Sequence, residues 1–131
     1  MKSIQKALVQ RGDRFLIILR SPKAHYFPNH WDFPGGTLEH GEDPLAGVER
    51  EVKEETGLTV EALKVVGVVE LDLDSTGHTT HMFTLYATRV VSGDVTLSHE
   101  HTDFRWATRE EILQLNTEPF MKTFFQQRPH A

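Results

Sequence analysis

The stretch "PGGTLEHGEDPLAGVEREVKEETGL", Pro34 to Leu58, constrains the fold more than any other part of the chain. Asp43 is a favourable N-cap and Pro44 suits the first helical position. Gly57 stands where a left-handed C-terminal cap belongs, with Leu58 able to fold back on the last turn. These signals predict one helix from Pro44 to Thr56. Glu49, Glu51, Glu54 and Glu55 crowd its C-terminal half. Like charges at helical spacing repel, and a helix C-terminus already carries partial negative charge. The arrangement makes physical sense if a cation sits beside it.

At about 100° per residue, Leu45, Val48 and Val52 share a stripe expected to face the core. Glu51, Glu54 and Glu55 form a second stripe beside it. Ala46, Glu49 and Lys53 fall on the far side, where they should be solvated. Gly47 projects near the carboxylates; it weakens the helix by about 1 kcal/mol against Ala and leaves room for something to approach. Three carboxylates at i, i+3 and i+4 are oxygen donors of the kind that Mg²⁺ or Mn²⁺ takes together with water and substrate phosphate. Arg50 is placed to brace Glu54 and to reach Glu42. For an acidic helix without such flanks, a solvated face is the ordinary interpretation.

The flanks match a known pattern. Gly36, Glu42 and Arg50-Glu51-Val52-Lys53-Glu54-Glu55-Thr56-Gly57-Leu58 resemble the Nudix box, G-x5-E-x7-R-E-U-x-E-E-x-G-U with U apolar, and every defined position is filled. The resemblance implies an α/β fold, the Nudix-type α/β/α sandwich with a mixed central sheet, as a single Nudix hydrolase domain spanning residues 1–131. It implies a pyrophosphohydrolase that uses Mg²⁺, or alternatively Mn²⁺, to cleave a nucleoside diphosphate linked to a further group. Glu51, Glu54 and Glu55 would bind metal, joined by the Gly35 carbonyl, while Gly36, Glu42, Arg50 and Gly57 would shape the loop and helix. Family members differ in their general base. Glu51 is the first candidate here, then Glu100 in "SHEHTDFRW", which would also be a metal ligand, then Glu55; Asp103 is a weaker substitute. The family often forms homodimers, although no surface in the sequence argues for one.

The rest of the chain suits that fold. Ile4–Gln10 and Phe15–Arg20 read as two strands joined by a turn at Gly12 and Asp13. A long loop, "SPKAHYFPNHWDFPGG", follows, and loops of that length in small domains are often functional. In it, Trp31 and Phe33 suit core packing. Tyr26 and Phe27 are candidates to stack on a base or sugar, and Arg20 and Lys23 to meet phosphate. "TVEALKVVGVVELDLD" and "HTTHMFTLYATRVV" alternate as two antiparallel strands about a turn at "STG". "DFRWAT" reads as a short strand, "REEILQLN" and "EPFMKTFFQQ" as helices. Elements of this order predict a sheet between layers of helix.

Other constellations carry less. "DLDSTG" imitates a calcium loop, but the twelfth position is Phe83 where a bidentate Glu is needed, so a hairpin turn is expected. His78 and His81 point to opposite faces of a strand, and His99 and His101 share a face without a third ligand; these His are expected at the surface or in the substrate loop. Phosphate-binding glycine motifs of the P-loop and dinucleotide folds are absent.

With 131 residues, a net charge of −5 and no Cys, disulfides and thiolate chemistry are excluded, and a long groove for a nucleic-acid polymer is not expected. No apolar run approaches membrane-spanning length, and "MKSIQKALVQRGD" lacks a secretory signal core, so the cytoplasm is the expected compartment and no membrane partner is expected. The expected partner is a small nucleotide or nucleoside diphosphate derivative. The markers of the ADP-ribose and dinucleoside polyphosphate branches would fall at Asp74 and at Ser75 or Thr76. Their absence favours nucleoside triphosphates, oxidised ones included, as substrates of a mutator-type member. The alternatives are a hydrolase of sugar nucleotides and a nucleotide-sensing module that keeps the fold without turnover.

Overall fold

The structure is a computed structural model of the chain and describes residues 1–73 and 80–128. Its elements are β1 (Lys2–Leu8), β2 (Gln10–Arg11), β3 (Arg14–Arg20), β4 (Trp31–Asp32), β5 (Gly35–Thr37), α1 (Pro44–Thr56), β6 (Thr59–Asp72), β7 (Thr80–Ser92), β8 (His101–Thr108), α2 (Arg109–Gln114) and α3 (Pro119–Gln127). One mixed sheet has the order β5-β1-β7-β6, with β1 and β7 parallel and the other pairs antiparallel. In the second sheet β3 is central, pairing antiparallel with β8, β2 and β4.

The two sheets meet at Val9, and here the expected hairpin is corrected. Only Gln10–Arg11 pairs with the start of β3. The preceding strand belongs to the other sheet, between β5 and β7. Its burial suits that place: Gln5, Lys6, Ala7 and Leu8 are all buried, and a strand in parallel pairing is ordinarily covered on both faces. Its alternation then serves two cores. Ala7 and Val9 face the cluster of Leu16, Ile18, Val60 and Tyr86 that α1 covers with Val48 and Val52. Leu8 faces the cluster of Phe15, Ile17, Phe33, Phe83 and Leu85 that α2 and α3 cover with Ile112, Phe120, Met121, Phe124 and Phe125. Sheets between helices on both sides give the expected α/β/α sandwich.

The helix α1 has the predicted bounds. Asp43 Oδ2 accepts from Ala46 N at 3.1 Å, and Gly57, at φ +76°, donates its N–H to Lys53 O at 3.0 Å. Leu45 departs from the expected stripe: it is 39% exposed. Residues 44–46 are all exposed, and burial begins at Gly47, so the first turn stands clear of the sheet that anchors the rest. Glu49 is also not simply solvated; it is half-buried and accepts from Ala62 N at 2.8 Å. The "STG" turn, the calcium-loop imitation, His78 and the branch-marker positions 74–76 lie outside the described residues. Among the described residues, no helix is long and apolar enough to cross a membrane.

Candidate active site

The loop before α1 is built on close backbone approach. Gly35 has φ +144°, and a Cβ there would lie 2.0 Å from Gln5 O. It pairs with Lys6 in the β1–β5 ladder, while Ala7 N donates to Pro34 O at 2.8 Å. Only glycine permits that combination. The Gly35 N–H then donates to Glu55 Oε1 at 2.7 Å. At Gly36 a Cβ would stand 2.9 Å from the Glu51 carboxyl carbon, so this glycine keeps open the space that the Glu51 carboxyl borders.

Arg50 ties loop to helix. Its Nε and Nη2 donate to the two oxygens of Glu42 at 2.7 and 3.0 Å. Its Nη1 meets Glu54 at 3.1 Å and Glu51 at 3.1 Å. The Arg50 hydrogen bonds, helped by the Glu39 N–H, pull the Glu42 carboxyl down to about 2. Gly47 has a different use from the one expected. A Cβ there would lie 2.4 Å from Leu38 Cδ2 and 2.9 Å from Glu42 Oε1; the space it opens is filled by the loop itself.

The carboxylates that share the helical stripe sit in different environments. Glu54 is exposed on Arg50. Glu51 is half-buried, and burial pushes its carboxyl up against the pull of Arg50. Glu55 is 8% exposed. Burial raises it to about 8, against the opposing influence of Lys6 and the Gly35 N–H. Among the described residues, no three His, Asp or Glu side chains converge as a ready metal cluster. Each of these three Glu instead holds a partner within the protein. The donor chemistry still fits a hard divalent ion. The oxygens are anionic or become so beside a cation, Glu55 is held next to the Gly35–Gly36 backbone, and the space at Gly36 is one that a Cβ would fill.

Among the described residues, no side-chain contact brings Glu100 against these carboxylates. The segment before it clasps the end of α1, with Thr96 N donating to Thr56 O at 2.8 Å and Ser98 N to Glu55 O at 3.1 Å. Glu100 itself lines a separate cavity of about 450 Å³ with Arg20, Lys23, Tyr26, His99 and His101. Three of the four expected substrate residues therefore meet there. Phe27 does not line it; its ring packs on His30 at 5.3 Å, and it adopts φ +49°. His101 falls with the substrate loop, one of the two places expected for it, and not at the surface. It is 5% exposed, and burial holds its imidazole down to about 4 and hence neutral.

Arg20 is also not free in solvent. Its Nη1 lies 3.3 Å from Asp32 Oδ2 and 3.6 Å from Glu118 Oε2, and its Nε donates to Tyr26 O at 2.9 Å. Lys6 Nζ meets the same Asp32 oxygen at 2.8 Å. This buried island of Lys6, Asp32 and Glu118 was missed in the sequence. The legible signal was Lys6 itself, an ionisable residue between Ile4 and Leu8 on one face of a strand.

The three-layer sandwich thus carries a glycine loop laid against an acidic, arginine-braced helix. The family model for the NUDIX domain matches residues 6–127, and the chain belongs to the Nudix hydrolases. A MutT-like protein from Streptomyces ambofaciens is 31% identical over 90% of this chain and 70% of its own length. Nucleoside triphosphatase NudI from Enterobacter sp. (strain 638) is 25% identical over 97% of this chain and 96% of its own. Among solved structures, the MutT protein from Methanosarcina mazei Go1 superimposes with a TM-score of 0.84 at 30% identity, covering 99% of this chain and 96% of that one.

Proposed function

We propose that this Nudix hydrolase cleaves nucleoside triphosphates, oxidised ones included, to the monophosphate and pyrophosphate, with Mg²⁺ as cofactor and Mn²⁺ as the alternative. The observation that carries the proposal is the buried Glu55 carboxyl held on the Gly35 N–H beside Glu51, at the end of a helix locked to its loop by Arg50 and Glu42. The relative named nucleoside triphosphatase NudI supports the substrate class.

Glu51, Glu54, Glu55 and the Gly35 carbonyl would hold the ion, which when bound neutralises phosphate charge and lowers the pKa of water. Arg50 and Glu42 keep the helix fixed against the loop, so the carboxylates are held on a rigid frame. Glu51, half-buried with a raised carboxyl, is the first choice to take a proton from the attacking water. Glu100, across the loop cavity, is the second. Lys23 and Arg20 would meet phosphate, and Tyr26, 69% exposed at the rim of the cavity, would stack on a base or sugar.

The test is product analysis with purified protein, Mg²⁺ or Mn²⁺, and a panel of nucleoside triphosphates, oxidised nucleotides and sugar nucleotides. Monophosphate and pyrophosphate from triphosphates support the proposal. Product from sugar nucleotides alone reassigns the substrate. Tight binding without any product leaves a sensing module and refutes the enzyme reaction.

A further inference from the structure

Buried ion pairs add little net stability, because desolvation offsets much of their attraction. An island of four ionisable groups beside a cavity therefore asks for another use. Lys6, Asp32 and Glu118 are 4%, 1% and 6% exposed. Glu118 occupies the N-cap position of α3 yet makes no capping bond; a side-chain hydrogen bond joins it to Asp32 instead. Asp32 Oδ1 is buried with no hydrogen-bond partner in the structure, and a protonated Glu118 would supply the missing donor. The only one of the four that lines the cavity is Arg20. Its Nη1 is taken by the two carboxyls and its Nε by Tyr26 O. Nη2 is the guanidinium nitrogen with no hydrogen bond among the described residues.

We propose that Asp32 and Glu118 are positioning residues for Arg20: the paired carboxyls hold Nη1 from inside the fold, leaving Nη2 as the cavity's anchor for an anionic phosphate of the substrate. This rests on the nucleotide-hydrolase assignment above and adds residues to it. The charge balance agrees. Burial and the neighbouring Asp32 raise Glu118 to about 9, so it is neutral at physiological pH. Lys6 holds Asp32 in its ionised form against the penalty of burial. Two cations against one anion leave the island one net positive charge, the sign that attracts phosphate. The groups facing Glu118 are Asp32 from β4, Arg20 from β3 and Lys6 from β1; His101 on β8 is neutral, and Glu55 on α1 lies within the electrostatic reach of Lys6 and Asp32.

The experiment is steady-state kinetics on a nucleoside triphosphate with Mg²⁺, read as KM against kcat. Arg20→Met should raise KM about ten- to thirtyfold, the worth of one charge-assisted hydrogen bond, with kcat changed much less. Asp32→Asn should raise KM by a similar factor, and the Arg20→Met/Asp32→Asn double variant should be no worse than Arg20→Met alone. Glu118→Leu should behave like Asp32→Asn, while Glu118→Gln, which keeps a neutral donor, should recover most of that loss. Above about pH 9, KM should rise in wild type and not in Glu118→Gln. Should Asp32→Asn fold poorly, Lys6→Met/Asp32→Asn removes both buried charges and must show the same KM rise. An unchanged KM in Arg20→Met, or losses that multiply in the double variant, overturns the proposal. If wild type hydrolyses no triphosphate, the functional assignment falls separately. Calorimetric binding of Mg²⁺-pyrophosphate to wild type and Arg20→Met then decides the anchor, with equal or absent binding counting against it.

Discussion

Replacing Glu55 by Gln should make the metal-free protein more stable, by an amount that depends on pH. Burial raises the Glu55 carboxyl from 4.5 to about 8. Between those values the folded protein holds a proton that the unfolded chain has released. Stability from this group therefore falls as pH rises through the window, by ~1.4 kcal/mol per unit, and levels off above the folded value. The full cost approaches ~5 kcal/mol at pH 8 on the same arithmetic. The Glu55→Gln side chain would keep an oxygen for the Gly35 N–H but would add an amide donor, whose burial without a partner costs about 1–3 kcal/mol. The net gain is then ~2–4 kcal/mol at pH 8, or roughly 7–15 °C in Tm for a chain of this length, and near zero or below at pH 4.5. Urea denaturation of both proteins in EDTA at pH 5, 6.5 and 8 reads this directly. Parallel stability curves would refute the burial argument. Added Mg²⁺ should stabilise wild type more than the variant and narrow the gap.

Further expectations concern the loop, the brace and the chemistry. Gly35→Ala should destabilise the fold by more than about 3 kcal/mol, since a Cβ would overlap Gln5 O at 2.0 Å with φ at +144°; chemical denaturation measures it. Glu42 is depressed to about 2, so it stabilises the fold above its unfolded pKa and loses that contribution as pH falls toward 2. Arg50→Met should flatten the acid limb of a pH–stability curve in that window. Glu51→Gln should lower kcat by at least about 100-fold if Glu51 is the general base, while circular dichroism stays that of wild type.

The acidic helix was legible because its caps, stripes and flanking glycines are all local: Asp43, Pro44 and Gly57 mark its ends whatever packs around it. The wrong hairpin has the opposite origin. Whether Ile4–Gln10 pairs with Phe15–Arg20 or with β7 depends on a strand some 80 residues away, and local alternation does not carry that information. Helical spacing placed Glu51, Glu54 and Glu55 on one stripe but said nothing of their burial, and burial separates exposed Glu54 from Glu55. The Lys6–Asp32–Glu118 island joins β1, β4 and α3, and only Lys6 broke the pattern of its own strand. His101 lines the loop cavity, one of the two places expected for it, but the polar run "SHEHTD" gives no sign that its strand buries it.

The central claim is that α1 and its glycine loop hold a divalent cation. Calorimetric titration of Mn²⁺ into wild type and Glu51→Gln, with a non-hydrolysable nucleoside triphosphate present, tests it most directly. The account predicts saturable binding in wild type and at least about tenfold weaker binding in the variant, whose neutral amide is a poorer ligand than a carboxylate. Equal affinity in the two proteins, or no cation bound to wild type, would contradict it.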